Sequence, residues 1–253
     1  MGNLSQMEYQ LETIALELEE SRELAKAKER LLLVHIEEME ILYGKLNEKV
    51  VELDRKNEQL RQVFLRTIES LALSLEAKDK YTDGHSKRVA YYCEIIAIKL
   101  GLSFQEREDL KMAGLLHDIG KIGISEKVLN KPGILTQEEY RHIKEHPLLG
   151  AKILQPLEGI DSIINWIKHH HERYDGKGYP DGLKGEKISL GARIIACADA
   201  FDAMTTDRPY RKSLPANAAL EEIEKAAGNQ LDPIICQVFC QLNKEGKLQI
   251  KLL

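Results

Sequence analysis

The sequence predicts an all-α protein. Three observations carry that: an apolar residue at every seventh position through roughly the first 60 residues, helix-capping signals spaced along the rest, and no alternating β-branched run of useful length. Only the C-terminal KLQIKLL reads as strand-like.

The seven-residue repeat runs through Leu4, Leu11, Leu18, Ala25, Leu32, Met39, Leu46, Leu53 and Leu60. The second seam position holds apolar Met7, Ile14, Leu42 and Val63, but also Ser21, Lys28, His35, Lys49 and Lys56. No proline occurs before Pro132. The pattern predicts a long helix over residues 1–63 that pairs with its own copy or with a partner. From Phe64 the spacing becomes that of an ordinary amphipathic helix, with Phe64, Ile68, Leu71 and Leu75 on one face. Residues 64–253 are therefore expected to form a separate, helical region.

Elements follow in order. Thr82 is the expected cap of a helix starting near Asp83 and ending before Gly101. Ser103 with Glu106, and Thr136 with Glu139, read as capping boxes. The first opens a helix to about His117; the second opens one interrupted at Pro147. Further helices are expected from about Ile160 to His170, from Ser189 to Met204, and from Pro215 and Pro233.

The 253 residues are 43% hydrophobic and 30% charged, enough for one sizeable domain with an extension or for two small domains. A net charge of -5 gives no basic field for long nucleic acid, although a small phosphorylated ligand in a local basic pocket remains compatible. Cys93, Cys197, Cys236 and Cys240 form no CxxC pair, and three lie in apolar stretches, so reduced thiols and a cytoplasmic location are expected. No signal core and no run long enough to insert in a membrane is present.

Five of the eight histidines stand beside suggestive partners. His117 and Asp118 lie side by side at a helix end, followed by Lys121, in GLLHDIGKIG. His146 precedes Pro147, His85 opens a helix, and the pair His170–His171 leads into the glycine-rich ERYDGKGYPDG. Asp199 sits among Ile194, Ile195, Ala196, Cys197, Ala198 and Ala200, where an unpaired buried carboxylate is costly. His35, His142 and His169 read as polar seam, polar face and exposed positions.

His85, His117, Asp118, His146, His170, His171 and Asp199 offer imidazole and carboxylate without thiolate. That donor set suits divalent iron, manganese, nickel or zinc, and its size suits two ions sharing Asp118. At least one of His170 and His171 is a ligand, the other a ligand or its support. Such a pair of ions can act on a phosphodiester, with Lys121 neutralising the phosphate or protonating the leaving oxygen. Glu172 reads as structural, and Lys177 as an added charge or a solvated loop tip.

HDIGK followed by HHERYDGKGYP closely resembles the HD-GYP domain, a branch of the HD phosphohydrolase superfamily, over roughly Phe64 to Gln241. The seven candidate ligands fall at its metal-binding motif positions in order. DRPYRKSLP matches the segment after its last aspartate, and Arg208 and Arg211 resemble its phosphate-holding residues. GNQLDP resembles its closing motif. The resemblance implies an all-helical bundle and a bacterial signalling enzyme. Its reaction is metal-dependent hydrolysis of cyclic di-GMP to the linear dinucleotide, with GMP as a further product. Asp118 and Lys121 would be the catalytic residues, with Lys121, Arg208 and Arg211 on the substrate. Iron or manganese would be the ions, with nickel, zinc or magnesium as alternatives. Expected partners are a second copy through the coiled coil and a diguanylate cyclase domain or upstream sensor. Where some members carry a third-metal glutamate, four residues before the first histidine, this chain has Tyr81, which points to two metals. Glu76, Asp79 and Asp83 stand nearby at other spacings. Other readings are an HD hydrolase of another cyclic dinucleotide or nucleoside phosphate, and a non-catalytic binding module.

Overall fold

The computed structural model describes residues 2–78, 84–207 and 212–248, with side chains from Met7 onward. The expected cap Thr82, Tyr81, Asp79, Asp83, Arg208, Arg211 and most of KLQIKLL lie outside the described residues. Those residues are all-α, with one isolated bridge, Ala227 to Leu231, and no strand. Two compact units result, Met1–Val63 and Phe64–Leu253.

The first unit is one long stretch of helix, part of α1 (Gly2–Lys78). Its seam residues Leu11, Leu18, Leu32, Met39, Leu46 and Leu53 are all exposed. Helix propensity and i,i+3 or i,i+4 ion pairs such as Lys26–Glu23 and Lys56–Glu52 support it locally. None of these buries apolar surface.

The second unit begins with the end of α1, where Ile68, Ala72 and Leu75 are buried. It continues through α2 (His85–Lys99), α3 (Phe104–Leu116), the 3₁₀ turn η1 (Ile119–Gly123), α4 (Glu126–Leu129), α5 (Gln137–Ile143), α6 (His146–Leu154) and α7 (Asp161–His169). A second 3₁₀ turn, η2 (Gly185–Lys187), precedes α8 (Leu190–Thr205), α9 (Ala216–Ala226) and α10 (Pro233–Lys244). α8 runs through the core against α2, α7 and α9. Tyr92 of α2, Phe201 of α8 and Phe239 of α10 meet edge to face, with centroids 4.8 to 5.6 Å apart. Such aromatic pairs each add about 0.5–1.5 kcal/mol beyond the area they bury.

Both capping boxes form: Ser103 with Glu106 opens α3, and Thr136 with Glu139 opens α5. The break expected at Pro147 falls two to three residues earlier. α5 ends at Ile143 and α6 starts at His146, with Pro147 inside its first turn, where a missing N–H leaves no bond unmade. α2 starts at His85 rather than Asp83, with Gly84 as its N-cap. A buried carboxylate serves that end. Glu76 of α1 accepts from the Gly84 N–H at 3.0 Å and the Ser86 N–H at 2.8 Å. Lys78 ties the same end of α1 to η1, donating to the Ile122 and Ile124 carbonyls at 2.8 Å each.

All four cysteines are free, with Cys93, Cys197 and Cys236 buried. Among the described residues no helix is long and apolar enough to cross a membrane.

Candidate metal centre

The close approach of η1 to α6 builds the centre. A Cβ added at Gly120 would lie 1.9 Å from the His146 carbonyl oxygen and 2.5 Å from the Gly150 nitrogen. Both are backbone atoms, so only glycine lets α6 lie this close to the HDIGK turn. That contact brings His146, the first residue of α6, against Asp118, the residue before η1. His146 Nε2 is 3.3 Å from Asp118 Oδ1.

Each buried imidazole is oriented by its other nitrogen. His117, His146 and His170 donate from Nδ1 to the carbonyls of Gly114, Ile143 and Ile167, three residues back, at 2.8, 2.7 and 2.6 Å. The Nε2 lone pairs of His146 and His170 are thereby aimed at each other, and that of His117 at His85. His85 is held by a carboxylate instead: its Nδ1 donates to Asp202 Oδ2 at 2.7 Å. Arg88 grips the same carboxylate, from Nε at 2.6 Å and from a terminal nitrogen at 3.1 Å.

Two groups of ligand atoms result. His85, His117 and Asp199 form one, and His146, His170 and His171 the other, with atoms within 4.8 Å of one another in each. Asp118 lies between them. Its Oδ2 is 3.4 Å from His117 Nε2 and 3.8 Å from His85 Nε2, while its Oδ1 faces His146.

These residues fit a metal. His85 and His117 Nε2 stand 3.2 Å apart, and His146 and His170 Nε2 stand 3.4 Å apart. With Nδ1 of each ring committed as donor, neutral imidazoles would point lone pair at lone pair. Only a proton or a cation between them relieves that. Two nitrogens each about 2.0–2.1 Å from one ion stand roughly 3 Å apart, which is the spacing seen.

The electrostatics agree with the donor chemistry. Burial pushes His170 well below the usual imidazole range, helped by His171 and its other imidazole neighbours, and it pushes His171 to about 3, helped by His146. His146 is also lowered by burial, against the pull of Asp118. These three are neutral at neutral pH, the form in which an imidazole can ligate a cation. Burial opposes charge on His117 too, but the adjoining Asp118 carboxylate prevails and raises it to about 9. Burial acts against the Asp118 charge, yet Lys121 and His117 hold its carboxyl well below the ordinary range. Lys121 Nζ is 2.7 Å from Asp118 Oδ2.

Two expectations are corrected. His169 is buried, not exposed: it donates from Nδ1 to the Asn165 carbonyl at 2.9 Å, and its Nε2 meets Asp181 Oδ2 at 2.9 Å. Asp199 is half-buried, with its side chain 21% exposed, because it faces the ligand group instead of the apolar core. His142 pairs with Glu145 away from the cluster.

The glycine-rich loop is fixed in place. Buried Glu172 accepts from the Asp181 N–H at 2.7 Å and the Leu183 N–H at 3.1 Å, which is the structural role expected of it. A Cβ at Gly178 would lie 2.3 Å from the Arg173 nitrogen and 2.5 Å from the Glu172 Cα, so the loop closes on its own start. GNQLDP anchors the other side: the Tyr174 and Asp175 N–H groups donate to the Gln230 and Asn229 carbonyls. Lys177 is an exposed tip. Tyr179 stacks on His171, with centroids 5.0 Å apart and planes at 29°.

Sequence reasoning passed over Asp202 and Arg88. The signal was present, since Asp202 stands three residues after Asp199 on one helix face, but a second aspartate on a helix reads as an ordinary polar residue. Asp202→Asn is expected to weaken metal binding by about 10–100-fold, the usual effect of removing such a support. Competition with a chelating dye measures it, and unchanged affinity would mean that the Gly114-type carbonyl bonds suffice to order the cluster.

A helical bundle that gathers six groups of imidazole and carboxylate around a shared aspartate defines a metal-binding helical domain of the histidine–aspartate type. A family profile described as "HD domain" matches residues 69–235, and the chain belongs to the HD-domain family, in its HD-GYP branch. It is 42% identical over 170 residues to a protein of Vibrio cholerae named 3'3'-cGAMP-specific phosphodiesterase 3, covering 67% of this chain and 36% of that one. It is 39% identical over 186 residues to a cyclic di-GMP phosphodiesterase of Thermotoga maritima, covering 72% and 50%. The chain thus spans half or less of the length of these relatives. A crystal structure of a cyclic GMP-AMP specific phosphodiesterase from V. cholerae shares the fold, at TM-score 0.56 and 22% identity, covering 72% of this chain and 49% of that one.

Proposed function

We propose that the chain is a phosphodiesterase that hydrolyses cyclic di-GMP to the linear dinucleotide pGpG in bacterial second-messenger signalling. The observation that carries this reading is the position of Asp118, one oxygen toward each histidine group. The named activities of the relatives support the substrate class. The 3'3'-cGAMP relative supports a second reading, hydrolysis of the mixed cyclic dinucleotide.

His85, His117 and Asp199 would hold one divalent ion and His146, His170 and His171 the other, with Asp118 shared. When bound, such a pair supplies Lewis acidity toward the phosphoryl group and acidifies water. The protein's own groups do the rest. Hydrolysis breaks one P–O3' bond, adds water oxygen to phosphorus and returns a proton to O3'. Lys121 holds a proton at Nζ beside Asp118 and is the group to neutralise the phosphate or protonate that oxygen. Arg208 and Arg211 would grip the phosphates with planar donor pairs. Both oxygens of Glu76 are engaged by backbone N–H groups at the start of α2. With Tyr81 at the third-metal position, two ions and a pGpG end point are the reading. Iron or manganese is the favoured pair, with nickel, zinc or magnesium as alternatives, and the cell interior is the favoured setting.

The test is oxygen-free reconstitution with ferrous iron or manganese, followed by product analysis on both cyclic dinucleotides. Turnover of cyclic di-GMP that stops at pGpG is expected. Progress to GMP would overturn the two-ion limit. Faster turnover of the mixed dinucleotide would favour the second reading. No turnover at full metal loading would move the assignment to another substrate or to binding alone.

The exposed seam of α1 is proposed to pair with a second copy, and to carry input from a sensor or a diguanylate cyclase domain. Leu32, Leu46 and Leu53 are each 58–60% exposed in the single chain, more apolar surface than a lone helix keeps in water. Replacing all three with glutamine is expected to convert a dimer to a monomer in light scattering. A dimer that persists would place the main interface elsewhere.

A further inference from the structure

We infer that Lys144 selects the substrate, by holding the phosphate that is not being cleaved in a cyclic dinucleotide. The inference rests on the phosphodiesterase reading above and adds the residue that tells a two-phosphate ring from a single phosphodiester.

Lys144 caps the C-terminal end of α5, two residues before His146. Its ammonium lies 4.6 Å from the centre of the Tyr140 ring and 4.9 Å from that of Tyr179. Both are within the reach of a cation–π contact, about 6 Å. Tyr179 in turn stacks on His171, a member of the histidine cluster. The lysine is thus two ring contacts from the metal centre, and Tyr179, the ring it shares with His171, belongs to the loop that Glu172 and GNQLDP hold.

Among the described residues Lys144 has no ion pair, and its neighbour Glu145 is taken by His142 at 3.1 Å. The other lysine of the centre, Lys121, lies against Asp118. A half-buried ammonium resting on two ring faces keeps its donors for an incoming anion. A cyclic dinucleotide brings such an anion at a fixed distance from the bond to be cut, because its second phosphate closes the same ring. It also brings flat bases, which the exposed ring of Tyr140 can meet. A simple phosphodiester brings neither.

A phosphate held equally in the ground and transition states changes KM and leaves kcat alone. Lys144→Met keeps the aliphatic stem on both rings and removes the charge. The metal-loaded full chain is compared with this variant and with Lys144→Arg, on cyclic di-GMP and on bis(p-nitrophenyl) phosphate. The expected result is a KM for the cyclic dinucleotide raised about tenfold with kcat within about twofold, as for one lost charge-assisted phosphate contact. The preference for the dinucleotide over the simple diester should fall by the same factor, and Lys144→Arg should recover most of it. An unmoved KM, or an equal loss on both substrates with a lowered melting temperature, overturns the inference and leaves Lys144 as a brace for Tyr179. Failure of the unaltered chain to cleave any cyclic dinucleotide overturns the phosphodiesterase reading, and this inference with it.

Discussion

Asp118→Asn is expected to strip metal from both histidine groups at once and to abolish turnover. The substitution keeps the size of the side chain, so packing at this nearly sealed position survives. What it removes is the one negative charge that faces His85, His117, His146 and Lys121 together. Breaking a buried charged network by taking one partner costs about 3–5 kcal/mol. At roughly 1.4 kcal/mol per factor of ten, that is on the order of 10²–10⁴ in metal affinity. Elemental analysis after gel filtration should show less than one ion per chain, and product formation should fall below detection. An Asp118→Asn protein that retains two ions would show that the groups are independent sites and that Asp118 does not join them.

Gly120→Ala is expected to be the most damaging single methyl group in the chain. A new Cβ would lie 1.9 Å from one backbone atom and 2.5 Å from another, and neither can rotate away. α6 must shift as a body, taking His146 with it. Overpacking of this kind costs on the order of 3 kcal/mol, which for a domain of this size is a fall of about 6–12 °C in melting temperature. Thermal unfolding reads the first effect and metal stoichiometry the second. A variant with wild-type melting and full metal content would mean that η1 and α6 can separate without consequence. Gly123, whose added Cβ would meet only the Leu149 side-chain tip at 3.0 Å, supplies the matched control.

Most helices were legible because their signals are local. Ser103 with Glu106 and Thr136 with Glu139 each need only four consecutive residues to show themselves, and both boxes form. The cap of α2 was not legible. It comes from Glu76, eight residues before Gly84 and on another helix, so no window around His85 could reveal it. The candidate ligands could be picked out because imidazole and carboxylate in an apolar setting are few. Their supports were harder to find. Three of the histidines are steered by backbone carbonyls three residues back, which every residue possesses and no sequence advertises. His169 shows the opposite failure. Its neighbours gave no reason to bury it, and Asp181, across the glycine-rich loop, supplied one. Asp199 was expected to be sealed away because its neighbours are apolar, but a helix shows different faces to core and cluster, and composition averages over both.

The anchoring of the glycine-rich loop by GNQLDP also bears on how the gene can be cut. The Tyr174 and Asp175 amides depend on carbonyls from Asn229 and Gln230, and Asp232 both caps α10 and pairs with Arg193 of α8. A fragment ended before Asn229 would keep all seven candidate ligands in its text and still lose the carbonyls that hold the glycine-rich loop, together with Asp232. The smallest transplantable version of this centre is therefore set by a turn some thirty residues downstream of its last ligand, and any domain graft or fusion drawn from this chain has to carry that turn with it.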